Sequence, residues 1–331
     1  MKLNIYKPKK IIIFFILLIL NGKFYKKYNN PKISIFLPIY NKSNYLKKSI
    51  KSIQMQTLQN IEIIVVNDCS EDGSLDILMN MAKNDLRIKI INNDKNRGLL
   101  YSRAMGILNS KGEYLMNLDP DDEFKGSDNL EYLYKMAKKS KIDFISFGFI
   151  KKNKSNTTKY ILCSNYKNIY YQPEIINNYY KHFDYLIWNK LVKKKVLLKV
   201  YEIFKEKING EKWNYSEDEI WSALIYKYSD SMICVDKTIY IYNINHDSLM
   251  RNKYIVLYLK NIIDWIEMFE IILNNENGKP LLINRFKELL KRINLNKTYY
   301  LNIIYNNKDI KNKYIKIFKR IKKHFLFNIT F

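Results

Sequence analysis

Four short apolar runs alternate with three amphipathic stretches between residues 32 and 118, and this rhythm constrains the fold more than any other feature. Lys32–Leu37 (KISIFL), Ile61–Val66 (IEIIVV), Arg87–Ile91 and Glu113–Leu118 read as strands. The second is β-branched and almost wholly apolar, as a central parallel strand covered on both faces must be. Between them, Leu46, Ile50 and Ile53 fall on one helical face behind Ser43, and Leu75, Leu78, Met79 and Ala82 on another. Asn96-Arg97-Gly98 turns into a third helix that runs to about Asn109. Strand and helix at this spacing predict βαβ units, hence a mostly parallel, doubly wound sheet.

In such a sheet, ligands bind outside the carboxyl ends of the strands. The polar loops fall there: Pro38–Asn41, Asn67–Gly73 and Asp119–Glu123. The last holds Asp119, Asp121 and Asp122 around Pro120. Carboxylates this close repel unless a cation or hydrogen-bond donors compensate. Oxygen ligands of this kind suit Mg²⁺ or Mn²⁺ held jointly with substrate phosphates; an acidic turn ahead of a helix is the competing reading. No Gly-x-Gly-x-x-Gly follows the first strand, which argues against a dinucleotide enzyme.

Hydrophobic residues make up 47% of the 331-residue chain, enough for a packed core. The net charge of +25 is spread through a Lys-, Asn-, Ile- and Tyr-rich composition without a nucleic-acid-binding motif, so no nucleic-acid partner is expected. Attraction to a diphosphate or an anionic lipid surface stays open. Cys69, Cys163 and Cys234 lack metal-type spacing and read as free thiols. The apolar run Ile11–Leu20, flanked by lysines, is shorter than the roughly 20 residues of a spanning helix. Residues 1–30 suggest a short signal anchor and membrane association; a cleaved signal and a helix packed on the domain remain alternatives.

Beyond Phe124 the rhythm weakens. Ile142–Ile150 reads as a strand, Tyr185–Leu198 and Ser216–Tyr228 as helices, and Ser231–Ile244 as a strand pair. Residues 251–331 read as a basic helical extension whose stretch from Lys311 to Phe325 is amphipathic and could face a membrane surface or the domain.

Set in order, these segments resemble family 2 glycosyltransferases, nucleotide-sugar transferases of the GT-A fold. The likeness rests on Ser34–Asn41 (SIFLPIYN) with Tyr45-Leu46 and Gln56-Thr57, on Ile61–Ser74 (IEIIVVNDCSEDGS), and on Asn96–Asp122. Trp188-Asn189-Lys190, Glu217-Asp218 and Tyr240–His246 (YIYNINH) extend it, so that it covers about residues 32–250. It implies an α/β, GT-A Rossmann-like sheet flanked by helices with a C-terminal helical extension. The glycosyltransferase domain would span 31–250, its nucleotide-binding half 31–125 and its acceptor half 126–250.

The resemblance further implies a metal-dependent, inverting hexosyl- or N-acetylhexosaminyl-type transferase. The donor would be a nucleotide-diphosphate sugar, with a UDP-sugar expected, and the acceptor a hydroxyl on a carbohydrate, lipid or protein-linked group. Asp121 would be the first ligand to Mn²⁺ or Mg²⁺, with Asp122 or His246 completing the set. Pro38, Tyr40, Asp68, Arg103 and Asp119 would line the nucleotide, with Asp68 on the base and Tyr40 stacked against it. Asp218 would be the general base and Glu217 its orienting partner. Bland roles compete: Asp68 could cap a helix, Arg103 could be a solvated helix charge, and Glu217 and Asp218 could complement a helix dipole. Three positions depart from the family pattern: Asn67 for a usual Asp, Cys69 for a common Gly, and Asn243 where Arg is frequent. Two readings compete with the transferase, a catalytically silent membrane-associated nucleotide-sugar-binding protein and a nucleotidyltransferase, the latter lacking a Gly-rich phosphate loop.

Overall fold

A computed structural model describes residues 30–153, 156–161, 168–182, 184–209 and 217–244. Strands β1 (Ile33–Ile39), β2 (Ile61–Asn67), β3 (Ile88–Asn92) and β4 (Tyr114–Asn117) alternate with helices α1 (Ser43–Gln54), α2 (Ser74–Asn84) and α3 (Leu99–Asn109). They form the parallel array β3-β2-β1-β4, as the alternation predicts. Every residue of β1 and β2 is buried. Side-chain alternation along β1 feeds two cores. Phe36 packs with Ile64, Leu100, Ala104 and Trp221 on one face. Ile33, Ile35, Leu37 and Ile39 pack with Leu46, Ile50 and Leu130 on the other. At α3, Gly106 lies so close to the sheet that a Cβ there would stand 2.8 Å from Phe36 Cβ.

Register explains where polar groups collect. Ile39 pairs with Asn67, Asn67 with Asn92, and Phe36 with Asn117. The carboxyl ends of four strands therefore open onto one edge, and the loops that follow them meet there.

Past β4 come β5 (Glu123–Phe124), α4 (Asn129–Ser140), β6 (Phe144–Lys152), β7 (Thr157–Tyr160), β8 (Ile169–Tyr171) and α5 (Glu174–His182). They are followed by β9 (Lys190–Lys193), α6 (Lys194–Asn209), α7 (Glu217–Tyr228) and β10 (Ser231–Asn243). The main path of the sheet is β3-β2-β1-β4-β9-β6-β10-β5, with β7 on β6 and β8 on β10. Parallel pairing rules the first half, whereas β9 enters antiparallel to both β4 and β6.

Three sequence expectations change here. The helix expected over Tyr185–Leu198 begins only at Lys194. Residues 190–193 fill the gap between β4 and β6 as β9, a tertiary demand that overrides helical periodicity. The strand pair expected over Ser231–Ile244 is one 13-residue strand, β10. Its polar Asp236-Lys237 marks a bulge in the pairing with β6, not a hairpin. Cys69 is a free thiol and exposed, but Cys234 is disulfide-bonded, against the expectation of free thiols.

Among the described residues no helix is long and apolar enough to cross a membrane. The N-terminal apolar run, Cys163, Trp213, His246 and the helices expected after residue 250 lie outside the described residues.

Candidate active site

Asp119 leaves β4 at the shared strand edge, and Arg103 reaches it from α3. The Arg103 guanidinium is buried. It donates to Asp119 Oδ1 through Nη2 (3.1 Å), to Asn117 Oδ1 through Nε (3.3 Å) and to Glu217 Oε1 through Nη1. Burial opposes its charge, yet Glu217, Asp119 and Asp218 together hold the guanidinium above its usual range. Arg103 is thus no solvated helix charge. It fastens the start of α7 to the end of β4, through a bond between residues 114 apart in sequence, Arg103 and Glu217.

Glu217 and Asp218 open α7, where three consecutive acidic residues face the positive end of the helix dipole. Burial pushes Glu217 above the ordinary carboxylate range, with Arg103 opposing and Asp218 adding to the rise. Burial likewise raises Asp218, with Arg103 opposing and Asp119 adding. An aspartate whose affinity for protons is raised is better suited to accept one than an ordinary aspartate.

The turn after Asp119 divides its carboxylates. Asp122 is buried, and both its oxygens point inward. Oδ2 accepts from Tyr240 Oη (2.8 Å) and Oδ1 from the Asn243 N–H (2.8 Å). Burial, reinforced by the Asp121 and Asp119 charges, pushes its carboxyl well above the usual value. The same Tyr240 hydroxyl accepts the Asp119 N–H (3.1 Å), and Asn243 Nδ2 donates to the Asp121 carbonyl (3.0 Å). Tyr240 is itself stacked on Trp188 at 4.4 Å between ring centroids. Strand β10 therefore clamps the acidic turn from beside it.

Asp121 points the other way. Its side chain is 18% exposed, and Oδ2 meets the Lys42 ammonium at 2.7 Å. A hard carboxylate oxygen at a solvent-accessible strand edge is the donor that a Mg²⁺ or Mn²⁺ ion takes alongside phosphate oxygens. Asp121 fits that role, and the inward-turned Asp122 fits it less well. Among the described residues no group of three or more His, Cys, Asp or Glu could by itself hold a metal.

At the carboxyl end of β1, Pro38 is buried and Tyr40 lies just beyond it, 42% exposed. Asp68 is buried, and accepts the N–H groups of Arg97 (2.7 Å) and Gly98 (2.8 Å) and the Asn93 amide (2.8 Å). It holds the N-terminus of α3, whereas Asp72 serves α2 by accepting the Ser74 N–H (3.0 Å). Asn67 bonds Asn92 Oδ1 (3.2 Å) and accepts the Ser70 N–H (3.2 Å), so an amide fills the usual aspartate's place without loosening the loop. Cys69 adopts φ 61°, the left-handed region. That explains why glycine is common at this position in the resembling family.

Behind α7 lies a closed buried network. Lys190 Nζ reaches Asp184 Oδ2 (2.9 Å), Asn189 Oδ1 (2.8 Å) and the Leu186 carbonyl. Asp184 also accepts from Ser146 (3.0 Å), Tyr226 (2.9 Å) and Asn189 (3.0 Å). The Trp188-Asn189-Lys190 motif thus turns its charge inward. Sequence reading missed Lys42, Asn117 and Asp184. Only Asp184 carried a usable signal, an acidic residue six before a lysine in an otherwise apolar stretch.

Comparison with known proteins bears on the fold and the family. A sequence model described as Glycosyl transferase family 2 matches residues 34–200, half of the chain. Glycosyltransferase GlyA of Streptococcus pneumoniae is 32% identical over 231 residues, 67% of this chain but 32% of that protein. An uncharacterized glycosyltransferase of Bacillus subtilis, EpsJ, is 29% identical over 68% of this chain and 64% of its own length. This chain therefore spans about a third of GlyA and under two thirds of EpsJ. The structure of S. aureus TarS residues 1–349 with UDP-GlcNAc superposes with a TM-score of 0.57 at 19% identity, covering 73% of this chain and 65% of that one. A Pyrobaculum calidifontis mannosyltransferase with GDP-Man and Mn²⁺ gives 0.50 at 13% identity, over 77% and 68%. The two structural likenesses show the fold, and the sequence match shows that the chain belongs to glycosyl transferase family 2.

Proposed function

We propose that the protein is a metal-dependent, inverting glycosyltransferase that moves a sugar from a nucleotide-diphosphate donor, a UDP-sugar, to a hydroxyl acceptor. One observation carries this reading most. Arg103 joins Asp119, at the donor edge of the sheet, to Glu217, beside Asp218, through a single buried guanidinium. Donor-side and acceptor-side carboxylates are thereby held in one rigid unit.

In this reading Tyr40 offers its exposed ring to the base. Asp68 accepts three hydrogen bonds of the roughly four a carboxylate can take, which leaves one direction for an imide N–H. Asp119 faces the ribose. Asp121 would hold the divalent cation, with His246 as a further candidate ligand, and Asp122 keeps the turn in shape. When bound, the cation supplies Lewis-acid neutralisation of the departing diphosphate. Asp218 takes the proton of the acceptor hydroxyl as its oxygen bonds to the anomeric carbon. The carbon–phosphate oxygen bond breaks on the opposite face, the nucleoside diphosphate leaves, and configuration inverts. Glu217, pinned by Arg103, positions Asp218. Residues 11–20 with their flanking lysines would bring the enzyme to a membrane, and removal of residues 1–29 should then release it from membrane fractions.

The test is a thermal-shift screen of nucleotide sugars with Mn²⁺, followed by transfer assays on the hit. A ligand bound only by the native state raises the unfolding midpoint. Asp218→Asn should lower transfer by about 10²–10⁴ while keeping donor binding. Asp121→Ala should abolish the Mn²⁺-dependent part of UDP binding. Unchanged transfer in both variants would sink the assignment.

A further inference from the structure

The cation on Asp121 is part of the protein. Lys42 Nζ lies 2.7 Å from Asp121 Oδ2, across 79 residues of sequence, and the two side chains are 17% and 18% exposed. Lys42 has a fixed backbone. It caps α1, its N–H donates to Ser74 Oγ (3.0 Å), and its carbonyl accepts from Tyr45 (2.9 Å) and Leu46 (3.2 Å). Its stem leaves along Tyr45, with the ammonium 5.5 Å from that ring centroid. Only the flexible four-carbon stem can move, and it ends at the edge where the strand loops meet.

We infer that Lys42 is a resident counter-ion that competes with a divalent cation for Asp121 and transfers its ammonium to the donor diphosphate when that cation binds. The inference rests on the proposed reading of Asp121 as a metal-holding carboxylate. An ammonium at 2.7 Å from Oδ2 weakens the hold of Asp121 on a metal ion, because the two cations repel across a few ångströms. A diphosphate arriving with the metal offers the displaced ammonium an anionic partner, and lysine is a common phosphate binder. Metal and nucleotide then bind cooperatively: metal alone must evict Lys42 into water, whereas metal with nucleotide gives it a new site. Asn243 lends no charge to this edge, since its side chain and N–H are spent on the Asp121 carbonyl and Asp122. Among the described residues, Lys42 is the ammonium in contact with Asp121.

The test uses the full chain and Mn²⁺, with free ion counted by electron paramagnetic resonance, and calorimetric titration of UDP. Wild type should bind Mn²⁺ weakly without nucleotide. Lys42→Met should bind Mn²⁺ alone about tenfold more tightly and UDP with Mn²⁺ about tenfold more weakly, each equivalent to about 1.4 kcal/mol. Lys42→Arg, which keeps the charge, should resemble wild type. Equal or weaker Mn²⁺ binding by Lys42→Met would overturn the inference. Asp121→Ala separates the two levels. If it loses Mn²⁺-dependent UDP binding while Lys42→Met matches wild type, the Lys42 inference alone fails. If it binds Mn²⁺ and UDP normally, the metal reading of Asp121 fails and the inference falls with it.

Discussion

Lys190→Met tests whether the Trp188-Asn189-Lys190 motif is a structural lock and not a ligand contact. Lys190 and Asp184 are both fully buried, so their 2.9 Å ion pair needs no discount for solvent screening. Methionine fills much of the space of the lysine stem but leaves the Asp184 charge without its cation. Removing one partner of a buried pair typically costs about 3–5 kcal/mol.

Urea unfolding reads this directly. Lys190→Met should lose about 3–4 kcal/mol. Asp184→Asn should be destabilising alone, by leaving an unpaired buried ammonium. The double variant should recover part of the loss, giving an interaction energy between the sites. A loss under about 1 kcal/mol would refute the argument that the pair is a buried, ionised lock.

Three further outcomes follow from the site. Cys69→Gly should stabilise the fold by about 0.5–1 kcal/mol, because the left-handed backbone costs a side-chain-bearing residue about 1–2 kcal/mol and glycine returns part of that as unfolded-state entropy; a drop in the urea midpoint would contradict it. Tyr240→Phe keeps the stack on Trp188 but removes the hydroxyl between the Asp119 N–H and Asp122, so stability should fall by about 1–3 kcal/mol and Mn²⁺-dependent UDP binding should weaken in calorimetry. Glu217 holds its proton more tightly folded than unfolded, mainly through burial, so its contribution to stability is complete below the ordinary value of 4.5 and is lost as pH rises through the raised folded value. Glu217→Gln should flatten that part of the stability–pH curve, and a curve of unchanged slope would count against the raised value.

What the sequence discloses depends on whether a residue's role is written in its neighbours. The strands of the first half are legible because Ile61–Val66 and its counterparts are buried on both faces, and a doubly covered strand must be apolar throughout. Once β1, β2 and β4 are known to be parallel and in register, their following loops must share one edge, which makes the neighbourhood of Asp68 and Asp119 legible too. The partners that decide each carboxylate's task come from further away. Nothing around Asp121 and Asp122 distinguishes them in sequence. One turns inward because Tyr240, 118 residues later, donates to it, and the other turns outward to Lys42, 79 residues earlier. With 57 Lys and Arg in the chain, Lys42 is also concealed by its own abundance, and 28 tyrosines conceal Tyr240 in the same way. Arg103 is the instructive case. A helix with an arginine among Leu100, Ala104 and Ile107 suggests a charge that ought to face solvent, yet it is buried because carboxylates from two distant segments converge on it. A buried charge is retained only where its partners are arranged around it. The arginine that looks most misplaced in the helix pattern is therefore the residue that joins the two halves of the site.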